Sequence, residues 1–135
     1  LAGQSQGGGH AALIAREHRV ARVLLFGAPK DYNPKLRKVA PWYRPGSTPE
    51  DRFFAFVHTR DRQGCDFPQQ LEIYRAMGMA AEPSSVDGAA PPYANARVLL
   101  TSYPGHVISS REAHVIGISN QLFKPVWTYM LTAGD

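Results

Sequence analysis

A serine flanked by glycines lies near the start of the chain, with the spacing of a hydrolytic nucleophile. Gly3-Gln4-Ser5-Gln6-Gly7 fits the pattern G-x-S-x-G, in which the chain turns sharply from a strand into a helix and needs small residues beside the serine. Such a turn exposes the Ser5 hydroxyl and directs the N-terminus of the following helix at it. Backbone N–H groups there, that of Gln6 among them, can stabilise an oxyanion. The pattern therefore predicts acyl-transfer chemistry on Ser5.

A serine hydroxyl becomes an effective nucleophile only when a histidine removes its proton and a carboxylate orients that histidine. With this motif, the acid and the histidine follow the serine in that order, each on a loop at the carboxyl end of a strand. Asp61 comes shortly after an apolar segment that ends at His58, and Asp66 is its competitor further along. We favour Asp61 as the acid because it lies closer to the end of the strand.

Two histidines follow the next apolar segment, which ends at Tyr103. His106 comes directly after the Pro-Gly pair that terminates the segment. His114 lies in a more apolar stretch, where burial would favour the neutral imidazole that a general base requires. From the residues alone, both histidines are candidates for the base.

A sheet is needed to bring these residues together, and the hydrophobic pattern predicts one. Short apolar segments rich in β-branched and aromatic residues predict strands, and segments with a periodic apolar face predict helices. The predicted strands cover residues 20–26, 52–58 and 97–103, and the predicted helices cover residues 9–18, 68–77 and 125–131. Strands alternating with helices are typical of an α/β fold with a mostly parallel sheet and crossover helices. Residues 81–92 and 109–120 are expected to be loops.

The proline-rich stretch 30–51 is unusually long for a connection without regular structure. Loops of this length often cover or line a functional site, so we interpret it as a candidate lid. Trp42 and Tyr43 within it, and His10 after the glycines of the motif, are candidate substrate contacts in a partly apolar cleft.

Composition limits the remaining function classes. The chain has 135 residues, enough for a single domain, and its formal charge of +4 comes from scattered arginines rather than from the basic stripe of a nucleic-acid binder. Cys65 is the only cysteine, so no internal disulfide and no CxxC metal pair can form. The apolar runs are too short to span a membrane. No metal or other cofactor is expected, and the predicted ligand is a small molecule.

The motif and the segments that follow it resemble a known family. Gly-Gln-Ser-Gln-Gly-Gly-Gly-His before a helix, His58-Thr59-Arg60-Asp61 after a strand, and Ala113-His114 before a closing Pro-Val-Trp-Thr-Tyr-Met-Leu helix are similar to the C-terminal part of bacterial α/β-hydrolase fold proteins. The resemblance implies a serine hydrolase acting on an ester or related acyl bond. It also implies Ser5 as nucleophile, Asp61 as orienting acid and His114 as general base.

The resemblance also predicts what these residues lack. In that family several strands come before the elbow, and a loop after an early strand supplies a second oxyanion N–H. The chain begins at Leu1 without an initiator Met, so we expect residues 1–135 to be the C-terminal half of one catalytic domain, with the early strands missing. Chains could then associate through an unpaired sheet edge.

Two other interpretations use the same residues. Gly7-Gly8-Gly9-His10-Ala11-Ala12 also matches G-x-G-x-x-A, the mark of a nucleotide-binding α/β unit, although Asp31 lies too far beyond the next strand to hold a ribose. A non-catalytic scaffold with a hydrolase fold is the other alternative. A metal site is disfavoured because the histidines are isolated and lack paired ligand spacing.

Overall fold

Five parallel strands form the central sheet of the protein. The computed structural model describes residues 1–27, 43–63, 66–79, 82–105 and 109–134, with the backbone of residues 32–33 and 38–39. The strands are β1 (Ala2–Gln4), β2 (Val23–Phe26), β3 (Tyr32–Asn33), β4 (Lys38–Val39), β5 (Phe53–His58), β6 (Ser84–Ser85) and β7 (Val98–Thr101). The main sheet has the order β1-β2-β5-β7-β6, and β3 and β4 form a separate antiparallel pair. The predicted α/β class with a parallel sheet is confirmed.

Helices cover both faces of this sheet. They are α1 (Gln6–Glu17), α2 (Phe67–Ala76), α3 (Ser110–Ser119) and α4 (Lys124–Thr132). Alternate residues of a strand point to opposite faces, so each strand contributes to two cores. In β2, Val23 and Leu25 pack with α1 and α2, whereas Leu24 and Phe26 pack with α3 and α4. Burial on both faces explains why the strands are continuous apolar runs rather than alternating ones.

The sequence predicts most of these elements to within a few residues, but three stretches expected to lack regular structure contain some of it. One is residues 30–51, which contain β3 and β4. Residues 109–120 are not a loop, because α3 occupies Ser110–Ser119. A capping box starts that helix: the Ser109 hydroxyl accepts from the Glu112 N–H, and the Glu112 carboxylate accepts from the Ser109 N–H. Residues 81–92 include β6, which pairs with β7 at the sheet edge.

The candidate lid is described only in part. Of residues 30–51, the β3–β4 pair and the stretch from Tyr43 onward belong to the described residues, and a short 3₁₀ helix covers Glu50–Arg52. Trp42 lies outside the described residues. No helix among the residues that the structure describes is long and apolar enough to cross a bilayer.

Candidate active site

Ser5 occupies the sharp turn between β1 and α1. Its backbone has φ 55° and ψ −121°, a conformation that L residues rarely adopt, and its N–H donates to the Phe26 carbonyl at 3.0 Å. A serine that precedes a helix usually uses its hydroxyl to cap that helix, but the Ser5 side chain makes no capping hydrogen bond. Strained backbone of this kind clusters at functional sites. The turn therefore leaves the Ser5 hydroxyl, half-buried at the start of α1, available for chemistry.

The two glycines of the motif have different roles in the turn. A Cβ on Gly3 would collide with the Gly7 carbonyl and come within 2.6 Å of the Gly8 amide nitrogen. A Cβ on Gly7 would meet no atom of the described residues within 4 Å. Close packing thus requires glycine at the first position of G-x-S-x-G but not at the last.

Asp61 and His114 form a buried pair on the carboxyl side of the sheet. Asp61 Oδ2 and His114 Nδ1 are 2.8 Å apart, and their side chains are 1% and 9% exposed. The other carboxylate oxygen, Oδ1, accepts from the Gln63 N–H at 2.9 Å. A carboxylate accepts only, so Nδ1 donates to Asp61, and in the neutral ring the lone pair then lies on Nε2. This is the tautomer that a general base for serine requires.

A second contact joins the Asp61 loop to α3. The Gln63 side-chain amide donates to the Ser110 hydroxyl at 2.9 Å. Gln63 therefore acts twice, holding the carboxylate through its backbone and the first turn of the helix through its side chain. The Asp61–His114 and Gln63–Ser110 contacts together hold α3, and with it the His114 ring, in place relative to the Asp61 loop.

The imidazole lies next to the turn that carries Ser5. Gln4 donates from its side-chain amide to the His114 carbonyl at 3.2 Å. A Cβ on Gly27 would lie 3.0 Å from His114 Nδ1, so the ring rests on this glycine, which has φ +65°. Gly27 directly follows Phe26, whose carbonyl accepts the Ser5 N–H. Within the described residues no hydrogen bond joins Ser5 to His114, and in free enzymes such bonds are often long before substrate binds.

The N-terminus of α1 offers a donor for an oxyanion. The N–H groups of Gly8 and Gly9 are both directed at the Ser5 carbonyl, at 2.9 and 3.4 Å. The Gln6 N–H forms no hydrogen bond within the described part of the chain, as expected for one of the first amides of a helix. It is the group that the sequence predicts as an oxyanion donor.

The alternative site residues differ in where they lie. Asp66 begins α2, where its carboxylate accepts from the Gln69 N–H at 3.1 Å in a capping box, so it serves the helix rather than a histidine. Tyr43 is 2% exposed within the core on the α1 and α2 side, so the structure does not support its predicted contact with substrate. His10 is exposed on α1. The other candidates, His106 and Trp42, lie outside the described residues.

Sequence reasoning missed three residues that build the site, namely Gln4, Gly27 and Gln63. Gly27 directly follows a predicted strand, and a glycine there can mark the close approach of another group, but the sequence does not say which group approaches. The two glutamines act through side-chain amides on residues 110 and 47 positions away, and no local pattern marks such contacts.

Other candidate sites in the described residues are weak. They contain no cluster of three or more His, Cys, Asp and Glu side chains that could hold a metal ion. A cavity of about 510 Å³ lies at the β6–β7 edge, lined mainly by apolar residues such as Tyr93, Leu122 and Phe123. Its lining does not include Ser5, Asp61 or His114, so this cavity is separate from the candidate active site.

Comparison of the chain with models of protein families, with curated proteins and with solved structures found no match. We therefore infer a function from the geometry of Ser5, Asp61 and His114.

Proposed function

We propose that the chain is the Ser-His-Asp portion of an α/β-hydrolase, in which Ser5 attacks an ester or related acyl bond. The observation that carries the proposal is the Asp61–His114 pair, which has a 2.8 Å contact and whose imidazole lies against Gly27. The residue before Gly27, Phe26, accepts the N–H of Ser5, whose strained turn leaves its hydroxyl uncapped. Chain order adds support, because the three residues follow β1, β5 and β7 in the sequence Ser, Asp, His.

The proposed reaction has two halves, acylation of Ser5 and hydrolysis of the acyl-enzyme, and the same groups act in both. His114 Nε2 takes the Ser5 hydroxyl proton as Oγ bonds to the acyl carbon, and the Gln6 N–H donates to the oxyanion that forms. The C–O bond to the leaving alcohol then breaks, and the imidazolium returns its proton to the alcohol oxygen. Water repeats the sequence on the acyl-enzyme and releases the acid and free Ser5. Asp61 stabilises the imidazolium during both halves.

A nucleotide-binding unit has less support. A nucleotide-binding unit with the G-x-G-x-x-A motif needs an Asp or Glu at the end of the strand that follows the glycine-rich helix, where it binds the ribose. Here β2 ends at Phe26, followed by Gly27, on which the His114 ring rests. No observation on the described residues favours this alternative.

An active-site-directed fluorophosphonate tests the proposal. The reagent forms a covalent bond only with an activated serine, and we expect it to label Ser5, as mapped by peptide mass spectrometry. Ser5→Ala should abolish the label and lower ester turnover by several orders of magnitude. Ser119→Ala, at an exposed serine at the end of α3, is the matched control and should change neither. Undiminished turnover by Ser5→Ala protein would falsify the mechanism.

A further inference from the structure

His58 is a buried histidine whose two ring nitrogens both have backbone partners. It is the last residue of β5 and is 1% exposed. Nε2 lies 2.8 Å from the Tyr103 carbonyl oxygen, and the Arg60 N–H donates to Nδ1 at 3.0 Å. A carbonyl only accepts and an amide N–H only donates, so the ring must be neutral with its proton on Nε2. The surroundings of His58 therefore select one tautomer.

Both partners of His58 belong to segments that carry the candidate triad. Arg60 directly precedes Asp61, and the Asp61 N–H donates back to the His58 carbonyl at 3.0 Å, closing a tight turn. Nδ1 therefore holds the backbone within that turn, one residue before the carboxylate. Tyr103 lies in the segment that leaves β7, and the next helix along the chain is α3, which carries His114.

We propose that His58 is a positioning residue for the triad, setting the Asp61 carboxylate through its Nδ1 bond to the Arg60 N–H. The proposal rests on the proposed function, because it assigns His58 a part in the same site. Without an acceptor at Nδ1, the turn from His58 to Asp61 loses the hydrogen bond that fixes the Arg60 backbone. The Asp61 carboxylate, one residue later, can then shift. A displacement of about 1 Å in a catalytic group can cost on the order of 100-fold in rate. The Nε2 bond to Tyr103 contributes to burial of the ring rather than to the turn.

Three substitutions separate the two bonds. His58→Asn places an amide oxygen near the position of Nδ1, where it can accept from the N–H two residues on as Asn does in Asx turns, but it cannot reach Tyr103. His58→Gln places its amide near Nε2, where it can donate to Tyr103 but offers no acceptor to Arg60. His58→Leu removes both bonds and keeps an apolar side chain in the buried position.

Turnover of an activated ester gives the first readout. We expect His58→Leu and His58→Gln to lower kcat on the order of 100-fold with little change in KM. A displaced Asp61 stabilises the His114 imidazolium less well, whereas the contacts with substrate stay the same. His58→Asn should stay within about tenfold of the wild-type kcat, since it lacks only one neutral hydrogen bond. If His58→Leu does not fold, the Asn and Gln variants carry the comparison alone.

The proton between His114 Nδ1 and Asp61 gives a readout that does not depend on hydrolysis. A buried imidazole proton bonded to a carboxylate gives a far-downfield NMR resonance, which should persist in His58→Asn and broaden or vanish in His58→Gln. If the wild-type protein shows the resonance but hydrolyses no ester, the proposed function fails while the role of His58 is still tested. An unchanged resonance and kcat in His58→Gln, or an equal loss in His58→Asn, would overturn the proposal.

Discussion

Replacing Asp61 by asparagine tests how the site controls the tautomer of His114. The Gln63 N–H donates to Asp61 Oδ1 at 2.9 Å, so in Asp61→Asn the amide oxygen must take that position and the amide NH₂ must face His114. Nδ1 then has to accept a hydrogen bond, and the ring proton moves to Nε2, the nitrogen that should receive the Ser5 proton. In one well-studied Ser-His-Asp triad the same change lowers kcat about 10⁴-fold, and we expect a loss of that size here. That loss corresponds to about 5 kcal/mol in the activation barrier.

Stability and activity should separate in this variant. Asp61→Asn keeps both hydrogen bonds with one of them reversed, so the free energy of unfolding from urea titration should stay within about 1 kcal/mol of wild type. Turnover of an activated ester measures the loss of kcat. Asp66→Asn is the matched control, because an asparagine still caps α2 and should leave kcat unchanged. An Asp61→Asn protein that keeps kcat within tenfold of wild type would refute the tautomer argument.

Two further predictions concern the turn and the core. Gly3→Ala should destabilise the protein by about 1–3 kcal/mol, because its Cβ collides with the Gly7 carbonyl, whereas Gly7→Ala should stabilise it by about 0.5–1 kcal/mol, because the Cβ enters open space in a helix. Urea unfolding of both variants decides this, and an equal effect of the two would contradict it. Burial raises the pKa of Tyr129 above its ordinary 10.0, so the folded state keeps this proton to higher pH than the unfolded state does. Its contribution to stability is therefore full below about pH 10 and is lost as pH rises further. Tyr129→Phe should make the alkaline fall in urea midpoint shallower than in wild type, and an identical fall would exclude this cause.

The strands and most helices could be predicted because burial imposes local patterns. Continuous apolar runs mark β2 and β5, which are covered on both faces, and the acidic cap before Phe67 marks the start of α2. The order of the predicted strands along the chain is enough to place Ser5 and Asp61 at strand ends. These features depend on neighbours in sequence, which is why a single sequence contains them.

Other features depend on contacts between distant residues or on a local signal that the composition around it masks. α3 has its own start signal, Ser109 with Glu112 three positions later, but the mixed composition of residues 109–120 obscured it. β6 is two serines long and is a strand only because β7 lies beside it. Whether Asp61 or Asp66 meets a histidine also depends on tertiary packing, since both follow the same strand.

The helix that carries His114 gives the candidate base a more rigid support than a loop would. Asp61 contacts His114, and Gln63 contacts Ser110. Two residues of the loop therefore bond to two residues of α3. His114 and Ser110 lie four residues apart, so the two contacts are about 6 Å apart along the axis of α3, roughly one helical turn. A slide or rotation of α3 that displaced the imidazole would therefore break both contacts together. This double contact holds the buried carboxylate at the end of a turn and the imidazole of a separate helix at a separation of 2.8 Å.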